Sequence, residues 1–307
     1  MKRVLVTGAT GFIGNYCLPL LSKKGYEIHA VSSKTLPKAA PFEVHWHKAD
    51  LLDLSQGLKL MKRIKPTHLL HLAWYVVPDK CWNSLQNLRW VQTSIGLLQA
   101  FSQYGGQRVV MAGTCAEYDW RYCCCSEKLT PLSPTTLYGA SKHALQVMVD
   151  AFGKEDGLSS AWGRTFFLYG PREHPVRLVS SVIRSLLSDK PARCSHGNQL
   201  RDYLYVQDVA HAFVVLLESD IRGPVNIASG YPVSLKEIVH KIAAKLNRED
   251  LVQMGALPVA ADEPDLLVGD VSRLSNEAAW RPEYDLDDGL EKTISWWRTR
   301  LSAGRFE

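Results

Sequence analysis

Residues 3–14, "RVLVTGATGFIG", constrain this chain more than any other stretch. A short apolar run reads as a strand, glycines follow at Gly8, Gly11 and Gly14, and an amphipathic segment begins at once. The first glycine permits a tight turn. The second lets backbone approach a bound group, and the third lets helix and strand pack closely. A helix starting there points free N–H groups over the turn and favours an anion such as a pyrophosphate. A glycine triplet alone is weak evidence, but with this strand before it and this helix after it the stretch reads as a dinucleotide-binding turn.

The alternation continues. "YEIHAVSS" (26–33), "THLLHLAW" (67–74), "QRVVMAGT" (107–114) and "SAWGRTFFLYG" (160–170) read as further strands. Residues 12–25, 54–64, 84–105 and 135–155 read as helices between them. Such alternation builds a parallel sheet covered on both faces. The expected fold class is α/β, a Rossmann-type doubly wound parallel sheet. From residue 171 the pattern loosens and Pro and Gly become frequent. The expected division of the 307 residues is a dinucleotide-binding domain over 1–170, with returns near 201–229, and a smaller, partly discontinuous α/β substrate domain over 171–307.

Composition excludes several classes. Hydrophobic residues make up 46% and charged residues 22%, the range of a globular protein. The net charge of +5 is scattered, without the basic clusters of a nucleic-acid surface. No run of about 18 apolar residues suggests a membrane span. The chain enters its first strand directly, so a signal peptide is not expected. Seven cysteines, three of them adjacent at Cys123, Cys124 and Cys125, show no CxxC spacing and no nearby histidine pair. They read as free thiols of a cytoplasmic protein, with no metal site.

The second strand ends "VSSK", with Ser32, Ser33 and Lys34 where an acidic residue would hold a ribose 2′-hydroxyl. A hydroxyl and an ammonium suit a 2′-phosphate, which favours NADP(H) and leaves NAD(H) possible. Asp50 is placed either to meet the adenine or to cap the next helix. In "LYGASK", Tyr138 and Lys142 stand four apart and share a helix face. An ammonium beside a phenol lowers the phenol pKa from about 10 and makes it a general acid or base.

In "TGATGFIG", "LLHLA" (69–73), "GTCAEYD", "YGASK", "YGPRE" (169–173), "RDYLYVQDVAHAF" (201–213) and "VNIASG" (225–230), the chain resembles the extended short-chain dehydrogenase/reductase superfamily. The branch is that of nucleoside-diphosphate-sugar epimerases, dehydratases and reductases. The pieces follow the family order over nearly the whole chain. The resemblance implies a catalytic set of Thr114, Tyr138 and Lys142. Thr114 would hydrogen-bond the reacting oxygen, Tyr138 would move its proton, and Lys142 would tune Tyr138 and hold the nicotinamide ribose. It implies cofactor contacts from Gly8, Thr10, Gly11, Phe12, Ile13, Gly14, Ser32, Ser33, Lys34, Asp50, Leu51, Leu72 and Ala73. It implies a nucleotide-sugar substrate met by Trp74, Cys115, Arg172 and Arg201, the last gripping the diphosphate. It also implies a homodimer through the helices at 84–105 and 135–155.

Sugar dehydratases of this family carry acidic residues directly after the Thr. Here Cys115 and Ala116 stand in those places, and Glu117 follows one position later, where it is expected to be structural. Phe167 and Trp90 replace asparagines of the family pattern, and Asp119 replaces a glycine. Residues 115–135 are expected to form a loop over the pocket, with Trp120 and Tyr122 lining it. Asp208 is expected to cap a helix, and Trp296 and Trp297 to pack. The leading expectation is reduction of the C4 ketone of a nucleotide-linked 4-keto-6-deoxy sugar. The alternatives are an NAD-dependent 4-epimerase, a reductase of small carbonyl compounds, and a catalytically silent dinucleotide-binding regulator.

Overall fold

The computed structural model describes residues 2–34, 36–37, 41–259 and 263–304. Seven parallel strands form the main sheet, in the order β11-β7-β5-β4-β1-β2-β3. In chain order the strands are β1 (Arg3–Thr7), β2 (Glu27–Ser32), β3 (His45–Lys48), β4 (His68–His71), β5 (Arg108–Thr114), β6 (Cys124–Cys125), β7 (Ser159–Thr165), β8 (Phe167–Tyr169), β9 (Ala192–Arg193), β10 (Leu200–Tyr205), β11 (Gly223–Ile227), β12 (Pro232–Ser234), β13 (Val252–Gln253) and β14 (Leu266–Gly269). The helices are α1 (Gly14–Lys23), α2 (Leu54–Ile64), α3 (Gln86–Gln103), α4 (Leu137–Asp156), α5 (Leu178–Leu187), α6 (Val206–Glu218), α7 (Leu235–Leu246), α8 (Ser272–Ala278) and α9 (Leu286–Ser302). The α/β class and the parallel, doubly wound sheet agree with the pattern in the sequence.

Both faces of the sheet are apolar because both are covered. Val4, Val6, Ile28 and Val110 point to the side where α1 and α6 supply Leu18, Leu21, Phe213 and Leu217. Leu5, Leu69, Val109 and Met111 point to the other side, against Met61, Leu97, Phe101 and Leu145. A third cluster joins α5, α7 and α9 through Ile183, Ile242 and Trp297. Trp297 is buried and Trp296 packs beside it, as expected.

Local signals set the element ends. Asp53, not Asp50, caps α2, its carboxylate accepting from the Ser55 N–H at 3.1 Å. Asp50 instead accepts from the Leu52 N–H within the turn before the helix. Thr136 caps α4 by accepting from the Gly139 N–H. Asp208 does not cap its own helix. It lies in the first turn of α6 and accepts from the Glu283 and Tyr284 N–H groups, tying the C-terminal segment down.

The single strand expected over 160–170 is two. The chain leaves the main sheet after Thr165, and the Phe166 N–H donates to Ile227. The next three residues pair with β10 in a smaller sheet. That sheet runs β12-β10-β14-β6 with β8 alongside β10. The apolar residues Phe166–Tyr169 follow Thr165 with no turn residue between, so the strand pattern runs on across the break.

A buried relay ties the sheet to α3. Thr7 Oγ1 accepts from the Leu72 and Ala73 N–H groups, each at 3.2 Å. Its hydroxyl proton therefore goes to His71 Nδ1 at 2.8 Å, and His71 Nε2–H donates to Ser94 Oγ at 2.8 Å. Burial, with Lys142 adding to it, pushes the His71 pKa down to about 3. His68 is pushed down to about 4, also chiefly by burial.

Both folded-state values lie below the ordinary histidine value of about 6.5. Between them and that value the unfolded chain binds protons that the folded chain does not, so stability falls as pH drops through this window. Each group contributes at most about 1.4 kcal/mol per pH unit. Urea unfolding measured from pH 7 to pH 4 is expected to show this fall, and His71→Gln to make it shallower.

Candidate functional site

The site gathers at the carboxyl ends of β1, β4 and β5, where an open parallel sheet leaves a crevice. The glycine turn is tight against the loop after β4. Gly8 has φ +66°, and a Cβ there would lie 2.8 Å from the Ala73 nitrogen. A Cβ on Gly14 would lie 2.3 Å from the Gly8 oxygen. The turn is held by the Gly11 N–H to the Gly8 carbonyl and by Asn15 Nδ2 to the Thr10 and Gly11 carbonyls. Helix α1 starts with no side-chain cap and no acidic residue in its first turn. Its leading N–H groups are unclaimed by side chains, the arrangement that receives a phosphate. This cradle of bare backbone fits a dinucleotide pyrophosphate.

The other residues expected at the cofactor divide. Phe12 and Ile13 pack into the cores on either side of α1, and Leu51 is buried under the sheet. Leu72 and Ala73 form the wall facing Gly8. Ser32 is buried, with Thr10 Oγ1 3.3 Å from its hydroxyl and the Lys34 N–H donating to it. Ser33, Lys34 and Asp50 are exposed.

Thr114 ends β5 and caps the 3-10 turn Cys115–Glu117, its Oγ1 accepting from the Ala116 N–H at 3.2 Å. The Tyr138 hydroxyl lies beside the Thr114 side chain. Burial raises the Tyr138 pKa, and the Thr114 hydrogen bond opposes the rise. Lys142 is buried, donates from Nζ to the Ala112 carbonyl at 2.7 Å, and sits 3.7 Å from the centre of the Trp74 ring. Burial pulls its pKa down to about 7. The expected lowering of the Tyr138 pKa by Lys142 is therefore not what this geometry produces. The ammonium is turned to backbone and to Trp74, and desolvation dominates the phenol.

Tryptophans shape the site, and one of them, Trp82, the sequence pattern did not flag. Trp82 packs edge-on to Tyr138 at 5.7 Å and to Trp120 at 6.5 Å. Its carbonyl accepts from the Tyr138 N–H. Buried Asn87 holds this loop, donating to the Cys81 and Ser84 carbonyls and accepting from Trp74 Nε1. Trp90, in the place of a family asparagine, stacks on Trp74 at 6.2 Å. Asparagine followed at a distance by tryptophan carries no periodic signal, so only folding brings them together.

Glu117 points into the core. Its side chain and that of Arg164 are both 0% exposed. Oε1 accepts from the Thr114 N–H and Trp162 Nε1, each at 2.9 Å, and Oε2 accepts from Arg164 Nε at 2.7 Å. Arg164 also donates to Tyr118 Oη at 3.1 Å, and Tyr118 in turn donates to Asn226. Glu117 is structural, as expected. Cys115 is buried, and burial pushes its thiol pKa up, so it presents a neutral thiol.

The two arginines expected at the substrate stand in different settings. Arg201 and Asp202 turn to different partners. Arg201 is buried, donates to Glu263 at 2.8 Å and to the Leu200 carbonyl, and lies over the Phe167 ring. Asp202 turns away and accepts from the N–H groups of Ser229, Gly230 and Gly269. Arg172 is exposed at φ +74°, near enough to Tyr16 of α1 for its charge to act there. In the segment after the 3-10 turn, Cys124 and Cys125 join β14 as strand β6, so part of this expected loop is sheet. Trp120 Nε1 donates to the Cys115 carbonyl, and Tyr122 is exposed. All seven cysteines are free. No helix among the described residues is long and apolar enough to cross a membrane.

A model of the NAD dependent epimerase/dehydratase family matches residues 4–228. UDP-glucuronic acid decarboxylase 1 of Xenopus tropicalis is 26% identical over 98% of this chain and 73% of its own. UDP-glucose 4-epimerase of Azospirillum brasilense is 28% identical over 97% and 92%. Among solved structures, UDP-glucose 4-epimerase of Thermus thermophilus in complex with NAD superposes with a TM-score of 0.83, at 26% identity, over 97% of this chain and 99% of that one.

Replacing Glu117 by Gln leaves Arg164 buried without its countercharge, a loss of about 3–5 kcal/mol for pairs of this kind. Urea unfolding of the Glu117→Gln variant is expected to show it, and a double variant with Arg164→Met to recover part of the loss.

Proposed function

The chain belongs to the NAD dependent epimerase/dehydratase family of enzymes, and from that membership we propose that it reduces the C4 ketone of a nucleotide-linked 4-keto-6-deoxy sugar. The observation that carries this reading is the pairing of an assembled Thr114–Tyr138–Lys142 set with a Glu117 locked into the core by Arg164 and Trp162. Elimination of water needs an acid or base beside the sugar in addition to the tyrosine. Cys115 is a neutral buried thiol, Ala116 has no proton to move, and Glu117 faces away. Carbonyl–alcohol chemistry is what these groups support.

The cofactor, when bound, supplies the hydride. The glycine turn and the start of α1 would hold its pyrophosphate. Ser32, Ser33, Lys34 and Asp50 would meet its adenosine half, and Lys142 its nicotinamide ribose. Burial keeps the proton on Tyr138 at neutral pH, which suits a group that donates a proton to a developing alkoxide. Thr114, whose Oγ1 already accepts from Ala116, has its own proton to share with the same oxygen. Trp82 and Trp120 offer an apolar wall beside Tyr138, compatible with a deoxy sugar. For Arg201 to grip a diphosphate, the anion must take the place of Glu263, which is 33% exposed. We assign the nucleotide-sugar half of the molecule to residues 171–307. A homodimer through α3 and α4 is supported by Leu88, Val147 and Met148, exposed apolar residues on those helices.

The lack of an acidic residue at the end of β2 supports NADP(H). The second reading, 4-epimerisation with retained NAD(H), is favoured by the likeness to UDP-glucose 4-epimerases over nearly the whole chain. The two differ in what the purified protein carries. Denaturation is expected to release little dinucleotide, and titration to show NADPH bound more tightly than NADH, with Lys34→Ala removing the difference. Stoichiometric NAD(H) in the released fraction makes the epimerase the correct reading.

Tyr138→Phe is expected to lower kcat on a nucleotide-linked 4-keto sugar by about 10²–10⁴-fold, the usual share of general acid catalysis. NADPH affinity, measured by fluorescence titration, should stay unchanged. Full activity in this variant would remove Tyr138 from the mechanism.

A further inference from the structure

Three histidines and a carboxylate meet away from this site, on the outer edge of the main sheet. His29 of β2 stands opposite His45 of β3, and Val31 stands opposite His47. Side chains two apart on a strand share a face, so Glu27, His29, His45 and His47 lie on one face of two neighbouring strands. The His29 ring stacks on His45 at 4.9 Å and on His47 at 5.2 Å. One ligating atom each from Glu27, His29 and His45 lies within 4.8 Å of the others. The group is reachable, with the Glu27 side chain 18%, His29 12% and His45 44% exposed.

We propose that Glu27, His29 and His45 form a binding site for a divalent transition metal of the zinc class, with His47 hydrogen-bonded behind His29. Imidazole nitrogens with one carboxylate suit zinc, cobalt(II) and nickel(II). A ligating histidine is normally fixed by a hydrogen bond to its other ring nitrogen, and His29 has that bond. His29 Nδ1 lies 2.9 Å from His47 Nε2, and His29 Nε2 lies 2.8 Å from Glu27 Oε1. An ion here would staple the edge strand β3 to β2, the strand that leads to Ser32 and Lys34.

The protons in this network are ordered by an arginine. Arg63 can only donate, and its Nη2 lies 2.8 Å from His47 Nδ1. His47 Nδ1 therefore accepts, His47 Nε2–H donates to His29 Nδ1, and His29 Nε2–H donates to Glu27. A metal on the His29 nitrogen facing Glu27 moves that proton to Nδ1. His47 must then accept at Nε2 and carry its own proton on Nδ1, where Arg63 stands. No proton leaves, but Arg63 loses its acceptor and must turn away. It is exposed at the end of α2 and can swing into water. Arg3, which donates to Glu27 at 3.0 Å, opposes the cation, while Glu43, 3.5 Å from His45 Nε2, favours it.

The test is titration of the full chain, without an added histidine tag, by cobalt(II) followed in visible absorption and by zinc(II) in competition with a chelating dye. One equivalent is expected to bind. His45→Ala and His29→Ala should each weaken binding about tenfold or more, and Arg63→Ala should tighten it several-fold. The double variant Cys123→Ser with Cys124→Ser, which removes the two exposed thiols, should bind as the parent does. Saturating zinc should raise the melting temperature of the parent through mass action and leave that of His45→Ala unmoved. His45 is half exposed, so this variant carries the test even if His29→Ala does not fold. The proposal is overturned by absence of saturable cobalt binding, by undiminished binding in His45→Ala, or by loss of binding in the cysteine variant. Unchanged affinity in Arg63→Ala overturns the proton order assigned here.

Discussion

The buried ion pair of Glu117 and Arg164 holds this structure's site together. Neither side chain touches solvent, and a carboxylate or guanidinium buried alone costs several kcal/mol. Each is therefore bound to complete its set of partners. Glu117 takes the Thr114 N–H and the Trp162 indole, and Arg164 takes Tyr118. Through these bonds the pair links the end of β5, the 3-10 turn after it, β7 and, by way of Tyr118 and Asn226, β11. The place where Thr114 stands is set by a charge pair that binds its backbone N–H.

The same arrangement explains which chemistry is left at the site. A carboxylate three residues after Thr114 could have reached a substrate if the turn had been wound differently. The capping box prevents that, because Thr114 and Glu117 each satisfy a backbone donor of the other's turn. On the open side of the sheet the groups are a phenol, an alcohol, an amine and several indoles. Lys142 is held between backbone and Trp74, and Tyr138 between Thr114 and Trp82. Burial acts on both in the direction of the neutral form.

The network around Asn226 extends this control into the smaller sheet. Its amide donates to the Cys125 and Asp270 carbonyls. Asp202 does similar work nearby, gathering N–H groups from Ser229, Gly230 and Gly269. Both residues join chain segments far apart in sequence. The division of labour within the "RD" pair follows from this: Asp202 is committed to the fold, while Arg201 faces the partly exposed Glu263.

Much was legible before folding was considered. Alternating apolar strands and amphipathic helices dictate a parallel sheet, since each strand is buried on two faces and each helix on one. Gly8 and Gly14 dictate the turn, because no side chain fits there. Tyr138 and Lys142 share a helix face by period alone. Pairings across the sheet and side-chain direction at irregular turns were not legible. Nothing local shows that Lys142 turns to Ala112, that the run 160–170 breaks at Phe166, that Trp82 reaches Tyr138, or that His29 meets His45. Periodicity records which face a residue occupies on its own element. Which element lies opposite, and which buried polar group must be answered there, is decided only when the whole chain closes.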